Sequence, residues 1–207
     1  MYKKALLAMA AAAALVIAAP ALATATAVPN LPTGVDQAYL ADGDSNPEHA
    51  TITLSGALVV VGAVTITCDN DFSITANDDG TAAVTAFTPR NCTMAGFPNC
   101  FLDITAENLD WGARLGYNTN ETPNRYRLYL SITLIYNFTS PTPNCPVTGS
   151  FTSSGLLSPA IDITSGSLTA TFGSGSGSTS SPLGTATLFG TLTSTSGVGA
   201  DTQLIHD

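Results

Sequence analysis

The sequence predicts an all-β protein, a single antiparallel β-sandwich or partly closed barrel tied by two disulfides. Three observations predict it. Apolar residues recur with a period of two through most of the chain beyond Ala50, the spacing of a half-buried strand. Charged residues make up 10% of the 207 residues, against about 25% in an average globular protein, and Ser, Thr, Gly and Ala take their place. No stretch beyond the N-terminal leader sustains a helical period.

Residues 1–23 have the three parts of a secretory signal peptide. Lys3 and Lys4 form the charged start, Ala5 to Ala19 the apolar run, and Ala21-Leu22-Ala23 the small-x-small cleavage site. The apolar run is shorter than the ~20 residues a helix needs to cross a bilayer. A cleaved leader is therefore expected, with no membrane span after signal cleavage. The expected localisation is secreted: extracellular, cell surface or periplasm. Residues 24–49 read as an irregular N-terminal segment, carrying Pro29, Pro32 and the run Asp42-Gly43-Asp44-Ser45-Asn46-Pro47-Glu48. The β domain is expected over 50–197 and a C-terminal tail over 198–207.

Within that domain Ile52 and Leu54 alternate with Thr51, Thr53 and Ser55, and Val64, Ile66 and Cys68 with Thr65 and Thr67. Phe72, Ile74 and Ala76 lead to the turn signal Asn77-Asp78-Asp79-Gly80, and Ala82 to Phe87 returns as the second arm of a hairpin. The longest strand is expected from Arg125 to Phe138, with Tyr126, Leu128, Leu130, Ile132, Leu134 and Tyr136 on one face. Later strands are expected at 147–152, 167–172 and 185–193. The Gly/Ser run Gly173 to Ser181 reads as a flexible loop.

Cys68, Cys92, Cys100 and Cys145 follow the leader, and an even count in an exported chain reads as disulfides. Three pairings are possible. The turn-rich stretch between Cys92 and Cys100 favours joining those two, which leaves Cys68 with Cys145. No C-x-x-C or H-x-x-x-H spacing is present, so no metal and no cofactor is expected.

Charge excludes several classes. Net charge is −9; without the leader's two lysines, 4 arginines face 15 acidic residues, a net of −11. A nucleic-acid binder needs a basic stripe, which is absent. With no lysine beyond residue 4 there is no Schiff-base or P-loop chemistry. His49 and His206 are the only histidines, and no G-x-S-x-G elbow exists. Asp42 to Asn46 spaces oxygen ligands like the start of a calcium loop, but Pro47 and Thr53 stand where an EF-hand needs Gly and Glu. Trp111 and Tyr129 form a possible binding surface for a glycan if both face outward; the competing role for a single Trp beside Leu109 is a core anchor.

Thr65-Ile66-Thr67-Cys68, Cys100 ahead of Leu109-Asp110-Trp111, Cys145-Pro146-Val147-Thr148-Gly149 and Gly190-Thr191-Leu192-Thr193 occur in this order. Over about residues 50–195 the chain resembles small secreted bacterial proteins known as alkane-oxidation activators. Asp110 stands where that family has Pro, Cys92 is additional, and the family's cysteine before the last strand is missing. The resemblance carries no catalytic motif. It implies an exported, non-enzymatic protein at the cell surface or in the medium, with a structural or interaction role at hydrophobic interfaces or in biofilm. The alternative is an extracellular polysaccharide-binding module, and a hydrolase comes third. The partner is an unknown extracellular or cell-surface one, and the acidic chain is expected to be a monomer at low salt.

Overall fold

A computed structural model describes residues 27–43, 46–97, 100–106, 109–122, 125–139 and 149–207. The expected signal peptide, Asp44, Ser45 and Cys145 lie outside the described residues. The chain is all-β, with strands β1 Val35–Ala41, β2 Ala50–Val61, β3 Thr65–Ala76, β4 Thr81–Met94, β5 Phe101–Ala106, β6 Trp111–Asn118 and β7 Tyr126–Thr139. The second half adds β8 Gly149–Leu157, β9 Ala160–Thr164, β10 Ser167–Phe172, β11 Gly177–Ser181, β12 Gly184–Ser196 and β13 Gln203–His206.

These strands form one antiparallel sheet. From β7 the ladders run through β8, β11, β12, β2, β3, β4 and β6, and β6 pairs β7 again. β9 and β10 continue the positions of β8 and β11 toward the end that holds the chain's C-terminus, the lower end. β9 meets β7 at Arg127↔Ala160, and β10 pairs both β9 and β12. β5 pairs the opposite half of β7 from β6. The upper end carries the β2–β3 and β11–β12 turns.

The pleat sends alternate side chains to opposite faces, and the inward set is apolar. On β3 these are Ile66, Cys68, Phe72, Ile74 and Ala76; on β7 they are Leu128, Leu130, Ile132, Leu134 and Tyr136, all buried. The alternate positions are Thr, Asp and Ser on β3 and Arg127, Tyr129, Ser131, Thr133, Ile135 and Asn137 on β7, and Thr51 and Thr75 hydroxyls meet across β2 and β3 at 3.2 Å. Each fully buried aliphatic side chain contributes roughly 1.5–3 kcal/mol, so this alternation is the main force behind the register.

The β3–β4 hairpin forms where its pattern places it. Gly80 closes the turn at φ +74, its N–H donating to the Asn77 carbonyl at 3.1 Å. The Gln37 amide occupies the space a Cβ at residue 80 would need, donating to the Gly80 carbonyl at 3.1 Å and to the Leu115 carbonyl at 2.8 Å.

The structure corrects four expectations. Residues 24–49 are not all irregular: β1 pairs β6 over Val35–Gln37 and β13 over Ala38–Ala41, burying Ala38, Leu40 and Ala41. The tail 198–207 contains β13, which that pairing holds in place. Part of the Gly/Ser run is strand β11, stabilised by ladders on both sides. The cysteine pairing also differs: Cys68 bonds Cys92, with Cα atoms 4.2 Å apart, so neither Cys92–Cys100 nor Cys68–Cys145 forms. The cause is a bulge. Thr67 faces Thr93 and Asp69 faces Arg90, so Cys68 alone opposes Asn91 and Cys92. Asn91, at φ +52, takes up the extra residue. No described cysteine is free.

Two measurements check this architecture. Replacing Cys68 and Cys92 together by Ala should cost about 3 kcal/mol in urea unfolding, from the 24-residue separation the bond closes. A chain beginning at Ala50 should unfold at a clearly lower temperature than one beginning at residue 27, because it loses β1 and leaves β13 unpaired; equal melting temperatures would contradict a structural role for β1.

Candidate functional site

Trp111 opens β6 and is 0% exposed. Asp110 before it takes φ +76 and donates its N–H to the Val84 carbonyl at 3.1 Å, turning the indole inward. There it meets Phe87 at 5.7 Å between ring centroids, and Phe87 meets Phe72 at 4.8 Å. Tyr129 faces the other side of the sheet yet is 6% exposed. It lies over the notch at Gly116, where a Cβ would collide with Tyr129, Val35 and Leu31. The N-terminal segment thus covers the face on which Tyr129 sits. The expected surface of Trp111 and Tyr129 is not formed: the two lie on opposite faces and both are buried.

The histidines take part in other contacts. The His49 ring faces the Asn77 amide oxygen at 3.2 Å, and His206 stacks on Tyr117 with centroids 3.7 Å apart. Asp71 accepts from Ser55 at 2.6 Å and pairs with Arg90 at 2.6 Å, while Asp69 accepts from Asn91 at 2.9 Å. Asp79 spends its carboxylate on the Thr81 side chain and backbone, which holds its pKa below the ordinary value. Asp42, Glu48 and Asp201 border an open depression at the lower end. Among the described residues no His, Cys, Asp and Glu group is arranged to hold a metal ion.

The inside of the sheet offers a different feature. A cavity of ≈ 40 Å³ opens at the upper end, walled by Val60, Val64, Ile66, Phe151 and Leu183 and bordered by Gly62, Ala63, Gly184 and Ala186. Tyr136, Ser153 and Ser181 are among its lining residues, the Ser181 hydroxyl donating to the Gly184 carbonyl at 3.3 Å and accepting from the Leu183 N–H at 3.2 Å. Below it lies an apolar cavity of ≈ 30 Å³ lined by Leu58, Phe72, Trp111, Ile132 and Leu188 among others; Val60 and Tyr136 belong to both walls. Ser153 is 4% exposed. Thr179, paired with Gly155 on β8 and Ala186 on β12, is 0% exposed and its hydroxyl has no hydrogen-bond partner. Burial pushes the Tyr136 phenol up to about 12.

This arrangement places a few polar side chains in a mostly carbon wall. Sequence reading missed it because Ser181 and Thr179 fell in a run read as loop, and Ser153 fell beyond the expected strand end. The available signal was small residues at alternate positions: Ser153 with Gly155, Thr179 with Ser181.

No family model, no curated protein and no solved structure matches this chain.

Two outcomes are expected. Trp111 fluorescence should be blue-shifted and resistant to iodide quenching; an emission near that of free indole would contradict its burial. The folded Tyr136 pKa lies above the ordinary 10.0, so its protonated form is the one the fold favours. That contribution is complete below pH 10 and is lost as pH rises toward 12. A Tyr136→Phe variant should show a shallower loss of stability over that window in urea titrations.

Proposed function

We propose that this is an exported, non-enzymatic protein with a structural or interaction role at the cell surface or in the medium, built as a closed barrel held by two disulfides. The observation that carries the reading is the division of the sheet: a largely apolar inside, and an outside made mainly of Thr, Ser and charged side chains with scattered apolar residues such as Val61, Leu156 and Phe189. A membrane-spanning barrel has the reverse arrangement, with an apolar outer band. The described disulfide supports an oxidising compartment. With Cys68 and Cys92 joined, Cys100 and Cys145 are the second pair by elimination. The return of the ladders to β7 supports closure, which removes most of the edge that would otherwise template association.

The non-enzymatic part is supported by the engagement of His49 with an amide and of His206 with an aromatic ring, neither within a serine–carboxylate arrangement. The polysaccharide-binding alternative loses its aromatic platform, since Trp111 and Tyr129 are buried. The resemblance to alkane-oxidation activators agrees with an extracellular site of action.

Expression from its own leader tests the proposal. Intact-mass spectra of the medium and envelope fractions should show a product ~2 kDa lighter than the full chain. It should also lack the four hydrogens that two disulfides remove. Retention of Met1 in a cytoplasmic fraction, or free thiols at Cys100 and Cys145, would overturn it.

A further inference from the structure

The geometry points to the upper end of the sheet as a docking surface for a zwitterionic lipid bilayer, which it enters with turn side chains and does not span. Three turns meet there. Gly62 in the β2–β3 turn lies against β12, where a Cβ on it would stand 3.0 Å from that of Ala186. The β4–β5 turn joins it through the Ala95 N–H, which donates to the Thr65 carbonyl at 2.9 Å. The β11–β12 turn lies on the other side, Leu183 bordering the same cavity as Gly62 and Ala63. Apolar side chains of this end face water: Val61 is 42% exposed, and Phe97 and Phe189 are each 37% exposed. Phe189 pairs with Val59, one outward position below Val61, and Ala63, Ala95 and Pro182 are exposed beside them. A clustered apolar surface of this kind marks an interaction site.

Charge selects the kind of surface. Residues 59–68, 91–97 and 178–189, which supply this end, contain no Asp, Glu, Lys, Arg or His. The opposite end holds Asp42, Glu48, Asp78, Asp79, Asp201 and Asp207. The molecule is therefore polarised, neutral and apolar at one end and acidic at the other. An anionic membrane repels the acidic remainder and finds no Lys or Arg at the turns to hold it. A zwitterionic surface carries no net charge, so the neutral end meets it without electrostatic cost.

Backbone pairing fits the same occupant. A turn that enters the headgroup–acyl boundary loses water and must satisfy its polar groups internally. The Gly62 N–H donates to the Val64 carbonyl at 3.1 Å and the Phe97 N–H to the Met94 carbonyl at 3.1 Å. The Leu183 N–H donates to the Ser181 hydroxyl at 3.2 Å, which donates to the Gly184 carbonyl at 3.3 Å. A second copy is the competing occupant. The few part-exposed side chains here fall short of the ~800 Å² that each partner of a stable complex buries, and a protein interface also wants a polar rim.

Docking is a property of the folded chain, so the inference goes beyond the proposed export and stands or falls separately from it. The test sediments the whole chain without its leader with sucrose-loaded vesicles. Phosphatidylcholine vesicles should carry it down in proportion to lipid, to the same extent at low and physiological salt. An equimolar mixture with phosphatidylglycerol should bind it at least about threefold less at low salt. Phe97→Asp and Val61→Asp should each weaken binding to phosphatidylcholine about tenfold. Leu156→Asp, at the far end of β8 and the most exposed of the large apolar side chains at 48%, adds the same charge and should leave binding unchanged.

Near-UV circular dichroism confirms that each variant is folded. Should a variant not fold, phosphatidylcholine bicelles carrying a nitroxide on the acyl chain give the same decision with the unmodified protein: methyl signals of Val61 and Leu183 should broaden before those of Leu156. Absence of sedimentation with phosphatidylcholine, a preference for phosphatidylglycerol, or an equal loss in Leu156→Asp would overturn the proposal. So would broadening that reaches Leu156 first, or a dimer in light scattering that Phe97→Asp disrupts while vesicles stay unbound.

Discussion

Everything in this structure depends on one constraint: a strand has two faces, and the ladders leave one of them no access to water. Because the pairing sequence that leaves β7 comes back to it through β6, every inward position on those strands is enclosed by its neighbours. The chain satisfies that with Ile, Leu, Val, Phe and Trp inward. Slipping any strand by one residue would exchange a leucine for a threonine along its length, which makes the period-two pattern both the driving force and the register lock. The few inward polar groups, Asn70, Ser153 and Thr179, stand out for the same reason.

The outer face follows from low charge. With six Lys and Arg in 207 residues, few ion pairs are possible, and those among the described residues are local: Arg90 with Asp71 across β3 and β4, and Arg127 with Glu121 across the β6–β7 turn. The half-buried Arg127 is held from both sides, donating from Nε to the Glu121 carboxylate at 2.7 Å and from Nη1 to the Ser158 carbonyl at 2.6 Å. Hydroxyls supply the rest of the surface polarity without adding to an already negative charge.

β1 and β13 cover the lower end together. β1 lies between β6 and β13, Leu40 reaches the inner apolar residues, and His206 stacks on Tyr117 while the Tyr126 hydroxyl donates to the Leu204 carbonyl at 3.1 Å. The Tyr39 hydroxyl bonds the Asp207 carboxylate at 2.7 Å, so the last residue is also engaged. The segments with the least regular sequence thus share one task, covering the lower end of the sheet.

The sequence by itself determined the fold class, the β3–β4 hairpin and the inward face of β7, because each rests on local signals: alternation, a turn glycine and strand length. It did not determine β1, β11 or β13. Val35 to Ala41 carries apolar residues on both faces and Gly177 to Ser181 carries none with a large side chain, so the ladders on either side decide their conformation. The disulfide was decided by a bulge that places Asn91 and Cys92 opposite Cys68, a geometry that residue spacing does not encode. The cavity, too, exists only in three dimensions: Tyr136, Ser153, Ser181 and Ala186 come from β7, β8, β11 and β12, and the successive pairing of these four strands is what brings them to one space.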